Sequence, residues 1–285
     1  MKKYIVTILG AGNMGTALAK IIGDNGHSVK IWNYEGDQEA LEQITEFHEN
    51  KKYLPGIQLS DKVVAEKDLG LITNLIAAHL PTCLHGSVAS ISGPAVAGDM
   101  ARGGFTAMNV ASKEKKSCKL VKAVLENEHL RLIETKDVVG VEVAGSFKNV
   151  YAIAMGLCDG LHIEMNTKAA LLVIALKEIG KLVKKMGGKS ETVYDLAGLG
   201  DLVGTGLCAS SRNRRFGEYL ASGLNRQDAT TKVEQVVEGI NASKMLKELG
   251  EKYKLKMPFA EMVYSVVWNS DDPATALKNF LRSLK

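Results

Sequence analysis

Apolar and polar positions change rhythm partway along this chain. Residues 4–9 form a short β-branched run, the pattern of a buried strand. Gly10-Ala11-Gly12-Asn13-Met14-Gly15 follows, and residues 16–23 then read as a helix with Ala17, Leu18, Ile21 and Ile22 as its apolar positions. A turn at Asn25-Gly26 leads to a second strand at 28–32. This is a strand–turn–helix–strand unit of about 30 residues. A polar helix is predicted at 38–49 and a turn at Tyr53-Leu54-Pro55-Gly56. Short strands are predicted at 63–64, 87–91, 105–110 and 130–134, with a helix at 114–126. Strand alternating with helix predicts an α/β domain with a mostly parallel sheet.

After about Val139 the strand signals stop. Residues 146–156, 167–186, 214–222, 232–249 and 258–268 all read as helices. The clearest has Thr167 as its N-cap candidate and stops at Gly187-Gly188. Its first half, 169–176, is apolar all round, which predicts burial. The division is therefore an α/β domain at 1–140 and an all-α domain at 141–285.

Composition narrows the class without choosing a function. Hydrophobic residues make up 46% and charged residues 24%, ordinary globular usage. A net charge of +4 suits an anionic small molecule and is too small a bias to predict nucleic-acid binding. Cys83, Cys118, Cys158 and Cys208 show no metal-ligand spacing, so free thiols are expected and no metal site. The absence of an unbroken apolar stretch of about 18 residues predicts no membrane span, and the cytoplasm is the expected compartment.

Three stretches carry chemistry. Gly10-x-Gly12-x-x-Gly15 follows a strand and opens a helix, the context in which this motif binds a dinucleotide. The first glycine permits the tight turn, the second lets a pyrophosphate approach, and the third lets helix and strand pack. The cofactor's ribose is then expected at the end of the second strand, Trp32-Asn33-Tyr34-Glu35-Gly36-Asp37. That stretch has no Arg or Lys for a 2′-phosphate, and Glu35 and Asp37 would repel one. NAD is therefore expected over NADP.

Lys148, in Gly145-Ser146-Phe147-Lys148-Asn149-Val150, stands in an otherwise apolar helix. Pattern alone favours a lysine laying its stem along the helix and reaching water. The functional reading is a lysine at a cleft that moves a proton. Finally, residues 198–205, GLGDLVGT, predict a loop closely approached by another group, and Ser210-Ser211-Arg212-Asn213-Arg214-Arg215 stand before a helix. Those residues could grip a phosphate or could be a solvated helix start.

The strings GSFKNVYAIAMGLCDGL, Asn166-Thr167-Lys168-Ala169-Ala170, GLGDLVGT and SSRNRRFG resemble the bacterial type of NAD(P)-dependent glycerol-3-phosphate dehydrogenase. So do the N-terminal ILGAGNMGTALA, the Ser92-Gly93-Pro94 turn and Val237-Glu238-Gly239, in the family's order. The resemblance covers nearly the whole chain. It implies a doubly wound (Rossmann) domain and an all-α substrate domain, NAD or NADP as cofactor, and a small phosphate-bearing substrate. The reaction is then hydride transfer to dihydroxyacetone phosphate, supplying glycerol 3-phosphate for phospholipid synthesis. A homodimer is expected.

It further implies that Lys148 is the proton donor or acceptor, with Asn149 and Asp201 in its polar surround. Gly93, Ala95, Thr205, Ser211, Arg212 and Asn213 would lie at the substrate, Arg212 and Asn213 gripping its phosphate. The cofactor would meet Gly10, Gly12, Asn13, Met14, Gly15, Tyr34, Ala97, Arg212, Val236 and Glu238. Gly93 and Ala97 would come from the first domain.

The chain departs from the family pattern at three places. Ala95 stands where a serine is usual, and the arginine after the second strand is missing. Near Leu69-Gly70 about 40–50 residues are missing, a segment that includes two strands flanking the first strand in a 3-2-1-4-5-6 sheet and a substrate-binding lysine. Two rival readings follow: another dehydrogenase on the same two-domain plan, or an impaired dinucleotide-binding remnant of this family.

Overall fold

The computed structural model describes residues 2–33, 37–66 and 87–284. The chain divides into two compact units. The first holds residues up to Ala89 together with Ala95–Lys136, and the second holds Ser90–Pro94 with Asp137–Lys285. The short return at Ser90–Pro94, which includes Gly93, thus belongs by its contacts to the helical unit, whereas the resemblance implied the first domain.

In the first unit, β1 (Ile5–Leu9) leads through the glycine turn into α1 (Asn13–Asp24) and back into β2 (Ser28–Trp32). Next come α2 (Glu39–Phe47) and β3 (Val63–Ala65). The strands pair in parallel in the order β1-β2-β3. Ala17, Ile21 and Ile22 of α1 are buried together with Val29 and Ile31 of β2. Further along lie α3 (Ala97–Ala101), β5 (Thr106–Ala111), α4 (Lys115–Leu125) and β6 (Leu130–Thr135), β4 being Ser90–Ser92 of the other unit. β5 and β6 also pair in parallel. Among the described residues β1 pairs only with β2, and its Ile5 is 78% exposed. A strand of this position is normally covered on both edges and faces. The exposure is what the loss of flanking strands would leave.

The second unit is built on α5 (Val138–Gly160), which starts earlier than its apolar pattern suggested because Asp137 caps it, accepting from the Gly140 N–H at 3.0 Å. By length and composition α5 could cross a membrane, but 61% of its apolar window is buried in this unit. Around it stand α6 (Met165–Lys185), α7 (Asp201–Gly206), α8 (Arg212–Ala221), α9 (Arg226–Val233), α10 (Glu238–Tyr253), α11 (Pro258–Trp268) and α12 (Pro273–Ser283). The core centres on Phe259, whose ring lies 5.3 Å from that of Tyr151 and 4.9 Å from that of Phe280. Buried Glu178 accepts from the Tyr151 hydroxyl at 2.9 Å and from the Phe259 and Ala260 N–H groups at 2.9 and 3.0 Å. It thereby caps α11, which starts at a proline and has no cap of its own.

Several expectations are corrected. Thr167 is not an N-cap: α6 starts two residues earlier, after extended Glu164, whose carbonyl accepts from the Thr167 and Lys168 N–H groups. Ala169, Ala170 and Val173 are exposed rather than buried, since α6 presents one face outward. The helix expected at 232–249 is two helices, broken where Glu234 turns left-handed with φ 59°. The GLGDLVGT stretch is helical: a π turn at Leu196–Gly200 runs into α7. Its glycines serve packing, for a Cβ on Gly204 would lie 3.2 Å from Pro94. Cys118 and Cys158 are buried free thiols and Cys208 is a partly exposed one, while Cys83 lies outside the described residues. Burial pushes the Cys158 thiol up to about 12.

Candidate active site

The glycine turn has the form its sequence predicted. Gly10 sits at φ 107°, a conformation open to glycine alone at no cost. A Cβ on Gly15 would collide with the Gly10 carbonyl, so helix and strand meet there only because the side chain is missing. A Cβ on Gly12 would meet no protein atom within 4 Å. That open space lies before the N-terminus of α1, where no side chain caps the first N–H groups. It is the cradle a pyrophosphate needs, so the residues present fit a dinucleotide. Met14 is exposed beside it, and Ala97 opens α3 in the same unit.

Residues 50–53 are bound to this turn, a link that sequence reading missed. Asn50 Nδ2 donates to the Ala11 carbonyl at 2.8 Å, and Asn13 Nδ2 donates to the Tyr53 carbonyl at 2.7 Å. Asn33, just past β2, accepts from the Ala11 N–H at 3.4 Å and donates to the Asp37 carboxylate at 3.0 Å. That buried carboxylate also accepts from Lys52 Nζ at 2.7 Å and the Tyr53 hydroxyl at 2.5 Å. Burial would raise its pKa, but these donors outweigh burial and hold it below the usual value. The stretch after β2 carries no Arg or Lys of its own, but Lys52, remote in sequence, stands on Asp37. Tyr34 and Glu35 lie outside the described residues.

In the second unit Lys148 points from α5 to Asp201, the first residue of α7, and its Nζ forms an ion pair with Oδ2. The lysine does not snorkel; its side chain is 17% exposed and its partner's 4%. Ser92 Oγ donates to the same carboxylate at 3.2 Å and Thr205 Oγ1 at 3.1 Å. Burial pushes the Asp201 carboxyl up, against the pull of Lys148 and the two hydroxyls. Ser92 is a functional candidate that the sequence marked only as part of a turn.

The neighbouring polar residues come from α8. Its approach to α5 is set at Gly156 and Gly217, where a Cβ on either would strike the other helix's backbone. Ser211 caps α8 by accepting from the Arg214 N–H at 3.4 Å. The Arg212 and Asn213 N–H groups open the first turn, where a helix offers no acceptor. Asn213 is buried, and its amide is used inside the protein. Its Nδ2 donates to Asn149 Oδ1 at 3.1 Å, and its Oδ1 accepts from the Gly239 N–H at 2.9 Å. One of the two Nδ2 hydrogens is thus used inside the protein. Arg212 forms an ion pair with Glu238, each side chain about 40% exposed, so Glu238 holds the arginine. Val236, just before α10, is 74% exposed. Arg214 is anchored on Asp159 at 2.6 Å, which Lys168 also meets at 2.5 Å, and this fixes the start of α8.

With this geometry established, comparison with known proteins is specific. The family described as NAD-dependent glycerol-3-phosphate dehydrogenase matches through its N-terminal part at residues 5–74 and its C-terminal part at 137–278. A Bacillus velezensis protein named glycerol-3-phosphate dehydrogenase [NAD(P)+] is 32% identical, covering 100% of this chain and 95% of its own. One from Bacillus subtilis is 32% identical over 99% and 94%. The crystal structure of a glycerol-3-phosphate dehydrogenase from Coxiella burnetii is 31% identical, with a TM-score of 0.89 and coverage of 98% of this chain and 99% of that one. The Bacillus velezensis alignment runs over 333 positions and takes in all of this 285-residue chain, so at least 48 positions have no counterpart here. That matches the expected shortening, whose junction at Leu69-Gly70 lies outside the described residues.

Proposed function

The chain belongs to the NAD-dependent glycerol-3-phosphate dehydrogenase family, and from that premise we propose that it interconverts dihydroxyacetone phosphate and sn-glycerol 3-phosphate. The observation that carries the reading is Lys148 held on a buried carboxylate, flanked by two hydroxyls, in a helical unit of this family. The first unit serves chiefly the dinucleotide and the second chiefly the substrate. When bound, the nicotinamide supplies or accepts the hydride at C2.

The protein's own groups do the rest. The Lys148 ammonium gives a proton to the C2 oxygen as the carbonyl is reduced, and takes it back in the reverse direction. Asp201 orients that ammonium and balances its charge, while Ser92 and Thr205 orient Asp201. Asn149, tied to Asn213, steadies the start of the phosphate-binding turn. The Arg212 guanidinium, the N–H groups of Arg212 and Asn213, and the Ser211 hydroxyl bind the phosphate, with the guanidinium exchanging Glu238 for the ligand. Gly93 and Ala95 complete the substrate surface. Gly10, Gly12, Asn13, Met14, Gly15, Tyr34, Ala97, Val236 and Glu238 bind the cofactor.

NADH is the favoured cofactor, because Glu35 follows β2 and no Arg or Lys stands in residues 32–37. The proposal includes a cytoplasmic homodimer feeding phospholipid synthesis. The test is consumption of NADH dependent on dihydroxyacetone phosphate, with product identified as the sn-3 phosphate. NADH binding without turnover of that ketone would reject the reading in favour of a binding remnant.

A further inference from the structure

The end of β2 is where a dinucleotide fold meets the adenosine ribose, and where a 2′-phosphate is accepted or rejected. By sequence this end is acidic, yet the acid is already engaged. Asp37 is 4% exposed and takes hydrogen bonds from Asn33, Lys52 and Tyr53. Lys52 differs from it. Its side chain is 38% exposed, and besides Asp37 the only carboxylate it meets among the described residues is that of Glu39, at 3.3 Å, whose own side chain is 60% exposed; its Nζ also lies 5.7 Å from the Tyr53 ring centroid. An ammonium has three donors in all. Lys52 therefore has a firm inner partner, a disposable outer one, and a face open to water. Its place is fixed relative to the glycine turn by Asn33 on Ala11 and by Asn13 on the Tyr53 carbonyl. The neighbouring Lys51 is turned away, its Nζ lying 4.1 Å from the Phe47 ring centroid.

We propose that Lys52 is the cofactor-specificity residue of this chain: it stays on Asp37 and exchanges Glu39 for the 2′-phosphate of NADPH. It takes the role that a basic residue directly after the second strand plays in other dinucleotide folds. Asp37 then fixes the lysine and does not repel the phosphate, so NADPH is used beside NADH. The inference rests on the dinucleotide reading of the glycine turn and deepens it.

The experiment is titration of the full chain and of Lys52→Gln, Lys52→Arg and Lys51→Gln with NADPH, NADH and adenosine 2′,5′-bisphosphate. Unfolding midpoints confirm that each variant is folded. Lys52→Gln should weaken NADPH and the bisphosphate about tenfold or more, the loss of one charge-assisted contact, and change NADH little. Lys52→Arg should retain NADPH binding, and Lys51→Gln should match the parent for every ligand. Equal losses for NADPH and NADH in Lys52→Gln, or no loss, overturns the assignment while leaving the dinucleotide reading intact. Failure of the parent chain to bind either nucleotide overturns both.

Discussion

Each unit sets a lysine against a buried aspartate, yet the two pairs are built to different ends. In the first unit Lys52 meets Asp37 beside Asn33 and Tyr53, and these donors outweigh burial. In the second, Lys148 meets Asp201 beside Ser92 and Thr205, and burial wins over the donors. Aspartate exposure is nearly equal, so the difference lies in the depth around the pair and in the lysine, 38% exposed in one and 17% in the other. A carboxylate satisfied at low cost anchors structure. One kept charged against desolvation holds its partner where a proton must move.

The largest expected effect breaks this contrast at the second pair. Lys148→Ala should lower kcat by about 10²–10⁴-fold, the usual contribution of general acid–base catalysis. Lys148→Arg should do nearly the same, because a guanidinium keeps its proton near neutral pH. Steady-state kinetics with both variants decides the matter. Substantial turnover by Lys148→Arg would show that the residue contributes charge and not a proton.

A second test compares how the units are packed. Phe259 is fully buried between Tyr151 and Phe280, whereas Ile5 on β1 is mostly exposed. Phe259→Ala should cost about 3–5 kcal/mol of stability, transfer plus cavity. Ile5→Ser should stay within about 0.5 kcal/mol, the scale of a surface change. Urea unfolding measures both. A large loss at Ile5 would mean that β1 is covered in solution.

Arg212→Ala removes a charged partner of the phosphate and should cost about 2–4 kcal/mol in kcat/KM. Its pair with Glu238 is about 40% exposed, so thermal stability should hardly change, as for other exposed ion pairs. Normal kinetics in this variant would reduce Arg212 to a surface charge.

What the sequence displayed was what short-range chemistry decides. The Gly10–Gly15 turn was legible because each glycine answers to a local steric demand. The change to an all-α second half was legible from the loss of β-branched alternation. The lysines were not. Lys148 in an apolar helix reads as a snorkelling side chain until Asp201, far along the chain, is placed under it. Lys52 reads as surface until Asp37 is brought against it. One helix boundary failed for a related reason: Glu234 breaks a continuous polar pattern through a left-handed residue, whereas the 258–268 helix was read correctly although its start is capped by Glu178 from another helix. Resemblance named the residues around Lys148. The hydroxyl of Ser92 became visible as a partner only when Ser90–Pro94 proved to belong to the helical unit.

The smallest effect sharpens the opening contrast by its sign. Asp37 is held below its ordinary value, so its contribution to stability is complete above about pH 4 and is lost as pH falls through its folded pKa. Asp201 is raised, so the folded state gains by holding a proton there, and that contribution is lost as pH rises through the raised value. The variants Asp37→Asn and Asp201→Asn remove each titration without removing the side chain's shape. Towards pH 4, therefore, the stability of the parent relative to Asp37→Asn should hold level or fall with acidification. Relative to Asp201→Asn it should rise. Unfolding midpoints in urea at pH 4, 5, 6 and 7 give both curves. Two slopes of the same sign would mean that the pairs sit in equivalent environments, and that Asp201 is an anchor like Asp37 with no strain available for catalysis.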